Sequence, residues 1–353
     1  MIRSIKSFKY LTPFVLYVLG LIAFNGNGIL CWLPLLYTFF VVPGMELLLK
    51  PDANNLDEVE EALAKSNKIY DIILYFAVIM QYYSLYTFFN AVTVEGISTM
   101  DIVGKVMTMG LLCGTFGINV AHELGHRVNQ FEQTLAKLLL LTSLYMHFYI
   151  DHNQGHHKHV ATPGDPSSAK LNQSLYAFWP QTLIGTYMSA WHIAGKALKK
   201  KGKSAFSIHN EMLQFQIIQA AFVFGVYWFW GSTVTILFVA AALMGGMLLE
   251  TVNYIEHYGL SRNKTTEDSY ERVQPHHSWN SNHVIGRLML FELSRHSDHH
   301  YLASRKYQVL RHMDQAPQMP TGYPGMIILS LFPPIWFKIM HQQMRKYSLL
   351  PNN

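Results

Sequence analysis

Half of the 353 residues are apolar and only 14% are charged, against about a quarter in soluble domains, so an ordinary soluble protein is excluded. The net charge of +5 does not indicate a nucleic-acid partner, because the apolar residues lie in long runs and surplus Lys and Arg suits the loops of a membrane protein. The 18 histidines are the other departure from ordinary composition, and they suggest a metal-rich polar cap on a membrane body.

Six runs approach the ~20 residues needed to cross a bilayer, at about 10–24, 29–49, 70–92, 102–120, 215–230 and 232–249. The basic start, M-I-R-S-I-K-S-F-K-Y, lacks a small-residue cleavage pattern and reads as a retained first span. Turn residues join the first two spans at Asn25–Gly28 and the last two at Gly231. Cys31 and Cys113 lie inside apolar runs and read as core.

A seventh apolar stretch, 135–150, is expected not to cross. If it did, His122 and His126 would lie on the opposite side of the membrane from His152, His156 and His157. Pro333 and Pro334 likewise interrupt 329–340. With six spans both termini share a side. Arg3, Lys6 and Lys9 before the first span, with Lys196, Lys199, Lys200, Lys201 and Lys203 after the fourth, assign that side to the cytoplasm. The expected fold is an all-α integral membrane protein, a single domain over 1–353. Its six transmembrane helices carry a cytoplasmic histidine-rich cap over about 121–214 and 250–353.

Four histidine clusters fall on that side. H-E-L-G-H runs from His122 to His126, and D-H-N-Q-G-H-H-K-H from Asp151 to His159. N-Y-I-E-H-Y-G-L, Asn253 to Leu260, carries His257, and S-R-H-S-D-H-H ends at His300. On a helix, residues i and i+4 leave the same face, which pairs His122 with His126, His152 with His156, and His296 with His300. Taken alone, H-E-x-x-H suggests a zinc protease, but that reading uses one metal and leaves seven clustered histidines without a role. Nine imidazoles suit two metal ions with four or five nitrogen ligands each, and imidazole suits iron.

These motifs, in this order and with these gaps, resemble the integral-membrane alkane hydroxylases (alkane 1-monooxygenases). P-H-H-S-W-N-S-N-H, Pro275 to His283, and P-T-G-Y-P-G, Pro320 to Gly325, also resemble segments of that family. The histidine boxes alone are shared with membrane desaturases and xylene monooxygenases, which stand as the nearest alternatives. The resemblance implies a non-haem di-iron centre of two Fe ions in a bacterial inner membrane. That centre would hydroxylate the terminal methyl of medium- to long-chain n-alkanes with dioxygen and two electrons from rubredoxin, itself served by rubredoxin reductase. By position, the implied ligands are His122, His126, His152, His156, His157, His257, His296, His299 and His300.

No four-cysteine iron site lies in these 353 residues, so rubredoxin is expected in trans. The cap is rich in basic residues, including Arg262, Arg287, Arg295, Arg305, Lys306 and Arg311, and is expected to steer that acidic carrier, with Arg305 and Lys306 the pair to reverse and Arg295 also open to a structural reading. Glu123, Asp151, Glu256 and Asp298 stand beside implied ligands, where a carboxylate could accept an imidazole N–H. Asp298 is the favoured candidate, with Glu256 next. His159 reads as solvated, and His276, His277 and His283 as residues that hold the cap together.

Overall fold

The computed structural model describes residues 7–267 and 269–350. Arg3 and Lys6, counted above among the basic residues before the first span, lie outside the described residues. Among those described the chain is predominantly helical. Its strands are one antiparallel pair, Lys264–Thr266 with Ser269–Tyr270.

Five elements are long and apolar enough to cross a membrane: Phe8–Asn25, Gly28–Leu48, Ile69–Ala91, Thr99–Gly125 and Glu211–His257. The last has 47 residues, which as a straight helix would measure ~70 Å, more than twice a bilayer core. Gly231 breaks it at φ 81° and ψ 178°. The rings of Phe222 and Phe238 then come within 5.7 Å, although sixteen residues of unbroken helix would separate them by ~24 Å. The chain therefore reverses at Gly231, and its two arms are the expected fifth and sixth spans. The stretch 135–150 forms no single helix long enough to cross. It holds a 13-residue helix, Gln130–Thr142, about 20 Å long, followed by a turn with Leu144 at φ 49°. One long helix, Leu175–Lys200, was not anticipated. Its polar residues keep hydropathy low, yet Leu175, Phe178, Thr182, Thr186 and Ala190 recur at helical spacing and are all buried.

The chain divides into two compact units. One comprises residues up to Tyr37, Asp71–Gly155 and Thr186–Leu249, and the other Thr38–Tyr70, His156–Gly185 and the chain from Glu250. In the first, the Ile69–Ala91 helix exposes Ile72, Phe76, Ile79, Tyr83 and Tyr86 along one stripe and buries Leu74, Ala77, Gln81, Ser84 and Phe88 along the other. An apolar outer face is what lipid requires, so polar groups turn inward and find partners there. Tyr17 donates to the Ala77 carbonyl (3.1 Å) and Gln81 Oε1 (3.2 Å), and Gln81 donates to Thr142 Oγ1 (3.2 Å). Lys105, buried in the fourth span, donates to the Phe24 and Ala91 carbonyls at 2.9 and 3.5 Å. It thereby caps the negative ends of the first and third spans.

In the second unit an apolar core forms around Trp279, Trp336, Tyr254, Tyr258 and Tyr323. Trp279 donates its backbone N–H to the Glu256 carbonyl (2.8 Å) and its indole N–H to the Tyr258 carbonyl (2.9 Å). The Pro275–His283 segment thus satisfies carbonyls at the end of the helix that carries His257, which would otherwise be left without partners. Arg295 is buried and donates to the Leu310 (2.7 Å) and Asn54 (2.8 Å) carbonyls, tying down the loop before the last cluster.

Candidate metal centre

The first two histidine clusters sit at or just after a π-helical turn, His257 ends its helix, and His296, His299 and His300 lie on a short α-helix of their own, His296–Tyr301. The fourth span passes through a π-helical turn, Cys113–Ile118, before the helix Asn119–Gly125 presents His122; His126 follows at its end. Ser143 Oγ donates to the Cys113 carbonyl (3.2 Å), which the widened turn frees. His152–His156 is itself π-helical. The i,i+4 pairing expected of an α-helix is not made there. His152 joins one group of histidines and His156 another.

In the first unit His122, His126 and His152 form a trio with ring centroids 4.5–5.1 Å apart, and Phe148 stacks on His152 at 4.6 Å. Glu123, the general base of a zinc-protease reading, is instead ion-paired with Arg127 at 2.5 Å, and Arg127 also reaches Asp71 at 3.4 Å. A base held by a buried guanidinium is poorly placed to take a proton from water, which removes the protease alternative.

In the second unit His156, His257, His296 and His300 are all buried, with one ring nitrogen from each within 4.8 Å of the others. His296 Nε2 lies 2.9 Å from His300 Nε2 and 3.2 Å from His257 Nε2. His157 and His299 pair beside them, Nε2 to Nε2 at 3.1 Å. Burial, and secondarily the neighbouring imidazoles, holds His300 well below its ordinary pKa, so the ring is neutral.

One carboxylate fixes a proton position in this quartet, and a second lies close by. His296 Nδ1 lies 3.2 Å from Glu256 Oε1, which also accepts the Tyr323 hydroxyl at 2.8 Å. His156 Nδ1 lies 2.9 Å from Asp165 Oδ2. With Nδ1 of His156 protonated toward Asp165, its Nε2 lone pair turns toward the group. Lone pairs converging in a buried space repel and lack donors. A divalent transition metal relieves both costs, so the donor set fits such an ion.

Asp298, favoured above as an imidazole partner, has other neighbours. Its Oδ2 accepts the Arg311 backbone N–H (2.8 Å) and ion-pairs with Arg305 Nε (3.0 Å). Glu271, His276 and His277 also cluster, but the Gln274 backbone N–H donates to His277 Nδ1 at 2.9 Å. The His277 proton therefore sits on Nε2, facing Glu271 at 3.4 Å, and the trio is a turn-stabilising device. Sequence reasoning missed Asp165. Its only signal was an Asp nine residues after His156, opening a D-P-S-S turn.

A helical membrane body bearing buried histidine groups of this kind defines a membrane-bound metal-dependent oxidase. In agreement, the fatty acid desaturase family model matches residues 102–330. Alkane 1-monooxygenase 2 of Alcanivorax borkumensis is 37% identical over 323 residues, covering 90% of this chain and 83% of that protein. Alkane 1-monooxygenase 2 of Pseudomonas aeruginosa is 39% identical over 319 residues, covering 90% and 84%. Alkane 1-monooxygenase 1 of the same organism is 44% identical over 245 residues, covering 69% and 64%. The chain belongs to the alkane 1-monooxygenase family and is an oxidoreductase of the monooxygenase class.

Proposed function

We propose that this enzyme converts medium- to long-chain n-alkanes to 1-alkanols, R–CH3 + O2 + 2e− + 2H+ → R–CH2OH + H2O. The electrons come from rubredoxin in trans, reduced by rubredoxin reductase. The observation that carries the reading is the buried quartet His156, His257, His296 and His300, in a chain similar to named alkane 1-monooxygenases over most of its length. Two iron ions held by His122, His126, His152, His156, His157, His257, His296, His299 and His300 would supply the oxygen-activating chemistry.

The protein's share is binding and exclusion of water. An alkane offers no polar handle, so affinity comes from burial at ~0.8 kcal/mol per methylene, and a membrane body draws on substrate already dissolved in lipid. Asp165 orients His156 and offsets part of the charge that neutral imidazoles leave uncompensated. The nine ligands belong to one membrane-embedded catalytic domain, with both termini and the cap in the cytoplasm. The lysines near the end of the Leu175–Lys200 helix support that orientation. Reporter fusions at Lys200 and after Leu350 are both expected to read cytoplasmic, and opposite readings would refute the topology.

Purified enzyme is expected to hold two irons per chain and, with octane or hexadecane, rubredoxin and its reductase, to yield 1-alkanols. One zinc per chain, or no alkanol, would refute the reading. The desaturase family match favours one alternative, a fatty-acyl desaturase. An unsaturated acyl product with no alkane turnover would establish it.

A further inference from the structure

We propose that Asp165 is the positioning residue of the four-histidine group, holding His156 in the one tautomer that can ligate and placing a fixed anion beside an otherwise neutral donor set. The inference rests on the metal-centre reading above and goes beyond it in assigning a role to a carboxylate outside every histidine motif.

The geometry is that of a built device. Asp165 Oδ2 faces His156 Nδ1 at 2.9 Å and accepts the Ser168 hydroxyl at 2.6 Å, while Oδ1 accepts the Ser167 backbone N–H at 3.1 Å. Ser168 Oγ is anchored in turn by the Ala161 N–H at 2.8 Å, and the Asp165 backbone N–H closes a turn onto the Thr162 carbonyl at 3.1 Å. His156, Asp165, Ser167 and Ser168 are all buried. A carboxylate that accepts from three directions cannot rotate, so the imidazole it faces cannot either. Its Nδ1–H is committed to Asp165 and its Nε2 to the group formed with His257 and His300, whose rings lie 5.0 and 4.9 Å away.

The network continues past Asp165, and its chemistry fixes what Asp165 can do. Ser167 Oγ lies 3.2 Å from Thr182 Oγ1, which donates to Glu250 Oε2 at 2.5 Å, and Asn253 donates to the same oxygen at 3.0 Å. This resembles a proton path from Glu250 to His156, but the link from Ser167 to Asp165 is a backbone N–H, which cannot pass a proton on. Asp165 therefore serves as a static anion and orienting acceptor. Glu250 and Thr182 hold the turn from behind.

The test uses the full-length enzyme in detergent, stripped of metal and reloaded anaerobically with Fe(II), with Co(II) as a spectroscopic probe. Asp165→Asn keeps the size and one acceptor but loses the charge. It is expected to bind one of the two metals 10–100-fold more weakly, with an altered Co(II) visible spectrum, and to leave the melting temperature of the metal-free protein unchanged. Ser168→Ala, which keeps the carboxylate and loosens it, is expected to give a smaller loss in the same metal. Wild-type metal affinity and spectrum in Asp165→Asn would overturn the proposal, as would equal destabilisation of metal-free and loaded protein. If Asp165→Asn fails to fold, wild-type affinity in Ser168→Ala overturns it. Wild-type enzyme that takes up no iron would instead sink the metal-centre reading itself.

Discussion

Asp298 and Arg305 form an ion pair, Oδ2 to Nε at 3.0 Å, in which the arginine side chain is only 11% exposed. Arg305 also lies 3.7 Å from Glu61, so its charge is spent inside the protein, where it fixes the turn that follows the last histidine cluster. Arg287 and Arg295 are buried in the same way, and Arg262 donates to the Glu271, Lys158 and Val160 carbonyls. Of the pair Arg305 and Lys306 expected to meet an electron carrier, Arg305 is therefore held within the protein. Lys306 lines a cleft of about 450 Å³ on this unit and is the steering candidate; Arg311 and Lys65 line it too, but both pair with Glu61.

Arg305→Glu places a third carboxylate beside Asp298 and Glu61. It is expected to reduce iron content and to abolish product even in chemically reduced single turnover. Lys306→Glu is expected to leave single turnover intact and to raise the rubredoxin concentration needed, while wild-type turnover at limiting rubredoxin falls with salt, since the Debye length shrinks from ~10 Å at 0.1 M to ~3 Å at 1 M. Full iron in Arg305→Glu would return that residue to the steering set.

Glu61 gives a pH dependence of known sign. Burial opposes its ionisation, but Lys65 at 2.6 Å and Arg311 outweigh burial and hold the carboxyl below its ordinary range. A depressed folded-state pKa contributes stability that is present above the unfolded value and lost as pH falls through the folded one. Thermal melts of Glu61→Gln are expected to show a loss of about 1–3 kcal/mol at neutral pH and a shallower decline on acidification. An acid limb identical to wild type would show that the bonds to Lys65 and Arg311 add no net stability.

His257 is isolated in the sequence and fully buried in the structure, its ring 5.0–5.1 Å from those of His156, His296 and His300. His257→Ala is expected to insert in the membrane, to lose iron, and to lose hydroxylation. Unchanged iron and activity would remove it from the site.

Gly231 adopts a conformation that costs other residues about 1–3 kcal/mol, and a Cβ there would touch nothing within 4 Å. Any effect of Gly231→Ala must therefore come from backbone strain. We predict a stability loss of that size in detergent melts with iron content preserved, and an unchanged melt would mean that the hairpin tolerates an ordinary turn.

The membrane class, the long apolar helices and the histidine clusters were legible in the sequence by itself, because bilayer thickness imposes run length and metal chemistry imposes residue type. Both constraints are local and legible one segment at a time. The Leu175–Lys200 helix escaped because its buried face is partly polar, with Thr182 and Thr186 inside, and hydropathy cannot distinguish that from a surface segment. Only the tertiary structure decided the grouping. His152 and His156 share a motif yet fall in different groups, since grouping depends on which rings the fold brings alongside and spacing does not encode that. The partners of the rings were also tertiary decisions, Asp165 on His156 and Arg305 on Asp298. A carboxylate's role depends on which donor the fold brings within 3 Å, and neighbouring positions in the chain do not specify that.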